Sequence, residues 1–307
     1  MKRGQKPGLS QLATEQINRA SADLDLKSSL EIAQIINAED AKVAPAVKRA
    51  LPQIAQAIDW IAAGLRHGGR LIYVGAGTSG RIAALDVAEC PPTYNTDPKI
   101  VQFVMAGGPK ALGSAGEANE DSRQLGEQEI RKRKPGKNDV VVGIAASGRT
   151  PFTVAALAYA RRHGAKTVAV TCNRDSPLAK ASHLAIVTEV GPEVISGSTR
   201  MKAGTAQKMI LNMLSSGGMT RLGYVYGNLM VRVHLKNEKL AARGISILQR
   251  ATGVGQQTAR LALKRAGNRV PVALVMLMAG VQRKEAERAL KASGGAVRRA
   301  IAAARSL

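Results

Sequence analysis

Residues 70–81 read RLIYVGAGTSGR. The first half, Arg70 to Val74, is a short apolar run with branched and aromatic members, the texture of a strand buried on both faces. Gly75 ends it, and Gly77, Thr78, Ser79 and Gly80 follow before a helical pattern opens at Arg81. A strand that turns through glycines and hydroxyls into a helix is how a βαβ unit begins. Four more runs of this kind follow, at 100–105, 139–145, 167–171 and 184–190. Helical stretches at 81–89, 117–134 and 151–163 separate them, and a long helix at 202–222 closes the series. The alternation predicts an α/β fold, a mainly parallel sheet flanked by helices as a three-layer αβα sandwich.

Upstream, residues 1–25 are polar and are expected to be poorly ordered or extended. Helices are expected over 27–37 and 43–67, the second with Val47, Leu51, Ile54, Ile58 and Ile61 at steps of three and four and with Gly68-Gly69 as its stop. From Ile247 onward the pattern is all-helical, with pieces at 256–265, 269–278 and 283–291 set apart by glycines. The expected organisation is an N-terminal arm and helices at 1–68, a sheet domain at 69–223 extended by helices at 24–67 and 224–246, and a small three-helix module at 247–307.

The 307 residues are 45% hydrophobic and 22% charged, ordinary values for a globular chain of about two domains. Aromatic residues make up only 3%, which argues against a base-stacking platform for single-stranded nucleic acid. The apolar run from Val270 to Val281 is shorter than the ~20 residues that span a bilayer, and no apolar signal core follows the basic start, so a cytoplasmic protein is expected. Two cysteines and four scattered histidines form neither a disulfide framework nor a zinc pattern, so no metal is expected. The net charge is +23, and from Arg221 onward 17 lysines and arginines stand against three glutamates. Such a surplus attracts anionic small molecules and phosphates. Alanine and leucine interrupt it at helical spacing, so its simplest reading is a solvated basic surface with no specific nucleic-acid partner.

The chemistry is expected in the loops. Residues 75–80 match GxGxxG, but a dinucleotide site needs an acidic residue at the end of the second strand, and Asp97 lies before that strand. The hydroxyls suggest an anion instead: Gly77 lets backbone N–H groups approach, Thr78 and Ser79 add donors, and the helix start adds its dipole. A second loop, AASGRTP at 145–151, repeats the device with Ser147, Gly148, Arg149 and Thr150. Each loop alone also reads as a plain capped turn; the pair reads as a phosphate and hydroxyl cradle. A third stretch, GSTRMKAGTAQK at 197–208, offers Ser198 and Lys202 as a further wall, or else an N-cap and a basic face. Two carboxylates complete the candidates. Glu89 is expected at a helix C-terminus, where negative charge is misplaced, or simply in solvent; Glu120 lies in an acidic cluster that also suits helix capping.

Taken together, GAGTSGRIAALDVAECPPTY at 75–94, GEANEDSR at 116–123, VVVGIAASGRTPF at 140–152 and GSTRMKAGTAQK at 197–208 resemble the N-acetylmuramic acid 6-phosphate etherases, of the sugar-isomerase (SIS) fold. IINAED at 35–40 and GNLMV at 227–231 are similar as well, and the C-terminal module resembles ubiquitin-associated (UBA-like) domains. One departure is Asn119, where a smaller residue is expected. The resemblance implies cleavage of N-acetylmuramic acid 6-phosphate to N-acetylglucosamine 6-phosphate and D-lactate, in recycling of cell-wall amino sugar. It implies a homodimer with sites at or near the subunit interface, no cofactor, and Glu89 and Glu120 as the catalytic pair.

In the open-chain sugar the C1 aldehyde acidifies the C2 proton, and lactate leaves from C3 once its oxygen is protonated. A base and an acid are therefore needed, roles that two carboxylates fill when their environments separate their pKa values. Glu120 is assigned as base and Glu89 as acid, with phosphate held by the loops. The rival readings are a non-catalytic sugar-phosphate-binding regulator similar to the glucokinase regulatory proteins, an aldose–ketose isomerase of the same fold, and a basic nucleic-acid binder.

Overall fold

The computed structural model describes residues 13–113, 119–233, 235 and 238–306. Five strands, β1 (Leu71–Gly75), β2 (Val101–Met105), β3 (Val140–Ile144), β4 (Lys166–Thr171) and β5 (Leu184–Val187), form one parallel sheet ordered β2-β1-β3-β4-β5. Leu71 pairs with Val101 on one side and Val140 on the other. The chain thus leaves β1 outward to β2 and returns past it to β3. That reversal opens a crevice at the carboxyl ends of β1 and β3, the place where open α/β sheets bind ligands.

Every residue of β1 and β3 is buried, as central strands of a sheet covered on both faces require. On one face Ile72, Val74 and Val141 pack with Phe152 and Leu157 of α6 (Pro151–Arg162), Ile130 of α5 (Arg123–Lys132) and Leu178 of α7 (Pro177–Ala181). On the other, the Tyr73 hydroxyl donates to Asp86 Oδ2 (2.9 Å) on α4 (Gly77–Tyr94) and sits 3.4 Å from the Leu211 carbonyl of α8 (Lys202–Arg221). Asn212 donates to the other Asp86 oxygen at 2.8 Å. This buried trio ties α4 and α8 to β1, and it completes the three-layer αβα sandwich.

Three expectations change. The arm is not loose where it is described: short 3₁₀ turns at Ala13–Glu15, Arg19–Ser21 and Leu24–Leu26 lead to α1 (Ser29–Asp40), which a Ser28/Glu31 capping box starts. Side-chain bonds supply the order that composition does not show: Ser21 Oγ donates to the Val194 carbonyl (2.7 Å) and Asn18 Nδ2 to that of Pro192 (3.2 Å). The helix expected over 43–67 is two, α2 (Val43–Arg49) and α3 (Leu51–Arg66), parted at Ala50 with Pro52 in the first turn of α3. The helix expected to stop at Glu89 continues through Pro91 and Pro92 to Tyr94. Prolines in a last turn give up N–H donors but still accept, and the Pro91 carbonyl takes the Asn95 N–H at 2.8 Å. Glu89 therefore does not sit at a helix end. The helix expected from 117 is described from Arg123, since 114–118 lie outside the described residues.

The chain divides into two compact units, one from 1–87 and 99–214, the other from 88–98 and 215–307. The second is wider than the module expected at 247–307. It holds α9 (Glu238–Thr252), α10 (Gln256–Arg265), α11 (Val270–Ala279), α12 (Arg283–Ala292) and α13 (Val297–Arg305), around Leu248, Leu263, Leu274 and Ile301. Among the described residues no helix is long and apolar enough to cross a membrane.

Candidate active site

At the carboxyl ends of β1 and β3 lies a cavity of about 490 Å³. Its walls include Gly77, Thr78, Ser79 and Arg81 after β1, Ser147 and Thr150 after β3, and Glu120, Gly197, Thr199 and Glu15. The helices α4 and α6 both begin here, so their first N–H groups and positive dipole ends converge on it. Gly148 makes the second loop possible. Its φ is +67°, and a Cβ there would lie 2.3 Å from the Ser176 side chain. The Gly148 carbonyl in turn accepts the Leu178 N–H at 2.9 Å.

The hydroxyls of the second loop keep donors in reserve. Ser147 Oγ accepts from the Arg149 N–H at 3.2 Å, which leaves its own hydrogen to give. Thr150 stands at the N-cap of α6 yet makes no side-chain cap bond. Glu120 is half-buried, and its backbone carbonyl accepts the Phe152 N–H of α6 at 3.0 Å, which anchors the loop that carries it. Gly77 has φ +51°, and a Cβ there would come within 3.0 Å of Glu120 Oε1. Two carboxylates, five hydroxyls and two helix starts thus share one space, suited to a sugar phosphate that must exchange a proton.

Two domain models match the chain: "Glucokinase regulatory protein N-terminal SIS domain" over residues 53–161 and "SIS domain" over 132–216. An N-acetylmuramic acid 6-phosphate etherase of Vibrio vulnificus (strain YJ016) is 49% identical over 296 residues, covering 96% of this chain and 99% of the relative. That of Symbiobacterium thermophilum is 57% identical over 274 residues, 89% and 91% of the two chains. The chain belongs to the N-acetylmuramic acid 6-phosphate etherase family. A third relative, from Clostridium beijerinckii, is 46% identical over 293 residues, 95% of this chain and 96% of its own.

Not every candidate of this etherase-family chain reaches the cavity. Lys202 is corrected from ligand to structural anchor. It is 1% exposed, and its ammonium pairs with Glu39 at 2.5 Å. Burial works to raise the Glu39 carboxyl, but hydrogen bonds from Lys202, Lys42 and Asn18 and the Lys202 charge outweigh it and hold the group at about 2. The start of α8 is closed as well. Glu193, 1% exposed, accepts the Lys202 and Ala203 N–H groups at 2.9 Å each. Burial raises the Glu193 carboxyl, against the pull of those two bonds and of Lys202. Ser198 and Arg149 are half-buried and do not line the cavity, and Gly148 acts from behind it. Glu89 is exposed on α4 and is not one of the lining residues.

The sequence reading of the etherase-family loops missed Glu15, Arg81 and Thr199. Thr199 adjoins Ser198, and in the sequence Arg81 reads as a helix start. Glu15 gave no signal, because it belongs to an arm whose order depends on distant carbonyls. Gln207, 2% exposed on α8, was also missed. Its Oε1 takes the Ser79 hydroxyl at 2.9 Å, while its buried Nε2 has no partner. A larger cavity of about 700 Å³ lies in the second unit, walled by apolar and basic residues such as Val233, Leu290 and Arg232. None of the hydroxyl loops reaches it.

Proposed function

We propose that this etherase-family chain binds open-chain N-acetylmuramic acid 6-phosphate in the 490 Å³ cavity and eliminates D-lactate from it. The observation that carries the reading is the Glu120 carboxylate set against the hydroxyl-lined starts of α4 and α6. The phosphate takes the N–H and hydroxyl donors of Thr78, Ser79, Ser147 and Thr150. Anchoring at this non-reacting end holds C2 before Glu120. Glu120 removes the C2 proton that the C1 aldehyde acidifies; the C3–O bond then breaks as lactate is protonated. Water adds to the unsaturated aldehyde at C3 and yields N-acetylglucosamine 6-phosphate. Turning the Gln207 amide end for end makes Nε2 a donor to Ser79 Oγ and frees the serine hydrogen for phosphate. The reading places the enzyme in the cytoplasm, where a phosphorylated sugar is retained.

The acid is assigned to Glu89, and the working unit to a homodimer in which a second copy presents this exposed residue. Mixing Glu89→Gln and Glu120→Gln chains tests both assignments. Complementary sites restore about a quarter of full activity in a random mixture; sites built within one chain restore none. The reaction itself is tested in oxygen-18 water: the label enters the 3-hydroxyl of the amino sugar and not lactate, and Glu120→Gln loses both lactate release and deuterium uptake at C2. A ketose product in place of lactate would favour the isomerase reading.

A further inference from the structure

We propose that Glu15 is the group that opens the sugar ring, an inference that rests on the etherase reading. Elimination needs a C1 aldehyde, whereas the substrate is stored as a closed hemiacetal. Opening removes a proton from the C1 hydroxyl and delivers one to the ring oxygen O5. Glu120 is engaged at C2, and Glu89 serves the lactate oxygen, so this transfer has no residue yet.

Glu15 meets the requirements. It is half-buried in the cavity wall and enters from another part of the chain than Glu120. Oε1 accepts from the Thr14 hydroxyl at 3.3 Å, and Oε2 lies 3.5 Å from where a Cβ on Gly197 would stand. Glu120, in contrast, rests against Gly77 in the first hydroxyl loop. Ser196 Oγ sits 3.4 Å from the Glu15 and Gln16 carbonyls, which pins the arm so that the carboxylate stays over the cavity. Among the described residues no lysine, arginine or histidine pairs with Glu15, in a chain of net charge +23. No cation therefore competes with a substrate hydroxyl for its oxygens. It also suits no anion, so the part of a sugar phosphate that it meets is a hydroxyl. The C1 hydroxyl is the most acidic that the sugar has.

The step balances without a co-reactant. The carboxylate takes the O1 proton, C1–O1 becomes a carbonyl as the C1–O5 bond breaks, and the same carboxyl returns the proton to O5. The test is the rate at which the full chain interconverts the anomers of N-acetylglucosamine 6-phosphate, read by exchange NMR. The wild type is expected to accelerate the exchange. Glu15→Gln loses at least tenfold of that acceleration, Glu15→Asp retains part, and Ser196→Ala falls between Glu15→Gln and wild type. Glu120→Gln keeps anomer exchange and loses deuterium uptake at C2. Wild-type exchange rates in Glu15→Gln would overturn the proposal. So would a Glu15→Gln chain that exchanges anomers normally but releases no lactate. A wild type that releases no lactate from N-acetylmuramic acid 6-phosphate would instead defeat the etherase reading beneath it.

Discussion

The stretches SGRTP at 147–151 and GSTRMK at 197–202 carry the same chemistry in one dimension: a serine, a glycine, a threonine and an arginine before a helix. In three dimensions both reach the cavity, through Ser147 and Thr150 and through Gly197 and Thr199, but the helix starts behind them differ. The start of α8 is filled by the chain itself, its first N–H groups by Glu193 and its lysine by Glu39. The start of α6 keeps hydroxyl hydrogens unspent over a cavity. Polar groups that satisfy one another hold the fold together. Those left facing solvent-filled space are available to a ligand.

The sharpest way to break this contrast is Lys202→Met. It removes the buried partner of the Glu39 carboxylate, leaving it Lys42 and Asn18, and should cost roughly 3–5 kcal/mol of unfolding free energy, read by denaturant titration. Turnover per folded molecule should stay near wild type. A large rise in KM with stability intact would return Lys202 to the ligand site. Glu193→Ala removes the cap of α8 and leaves two buried N–H groups unpaired, a loss of about 2–3 kcal/mol, again with KM little changed.

The same pair predicts an acid limb. The folded Glu39 pKa of about 2 lies below its ordinary 4.5, so its stabilising share is complete above pH ~4.5 and is lost as pH falls toward 2. Melting temperatures across that range should drop more steeply in wild type than in Lys202→Met; equal slopes would remove the pair from the explanation. On the other helix, Ser147→Ala and Thr150→Val should each raise KM about tenfold, the worth of one hydrogen bond to a charged group, and leave stability within about 0.5 kcal/mol. A stability loss without a KM change would make these hydroxyls structural, as Lys202 is at α8.

Much of the fold was legible from local signals. The apolar runs at 70–74, 100–105, 139–145, 167–171 and 184–190 became the five strands, and the helices expected at 256–265 and 283–291 appear at Gln256–Arg265 and Arg283–Ala292. Helix α13 was missed because two of its four buried positions, Ala300 and Ala304, are alanine and give little hydrophobic contrast. The paired loops were legible because glycines, hydroxyls and a strand end are neighbours in the chain; Glu120 was singled out only by the family resemblance, since its acidic cluster by itself also suits helix capping. Lys202 was misread, since a buried lysine and a substrate-facing one look alike until the partner, 163 positions away, is known.

What the chain order determines here is periodicity, turn chemistry and the two hydroxyl loops, all effects that act over a few residues. Only the tertiary structure decided which charges are spent. It gave Lys202 to Glu39, gave the α8 N-terminus to Glu193, and brought Glu15 from the arm to the cavity of Glu120. Those outcomes depend on burial and on partners far apart in the chain, and desolvation makes each pairing all or nothing.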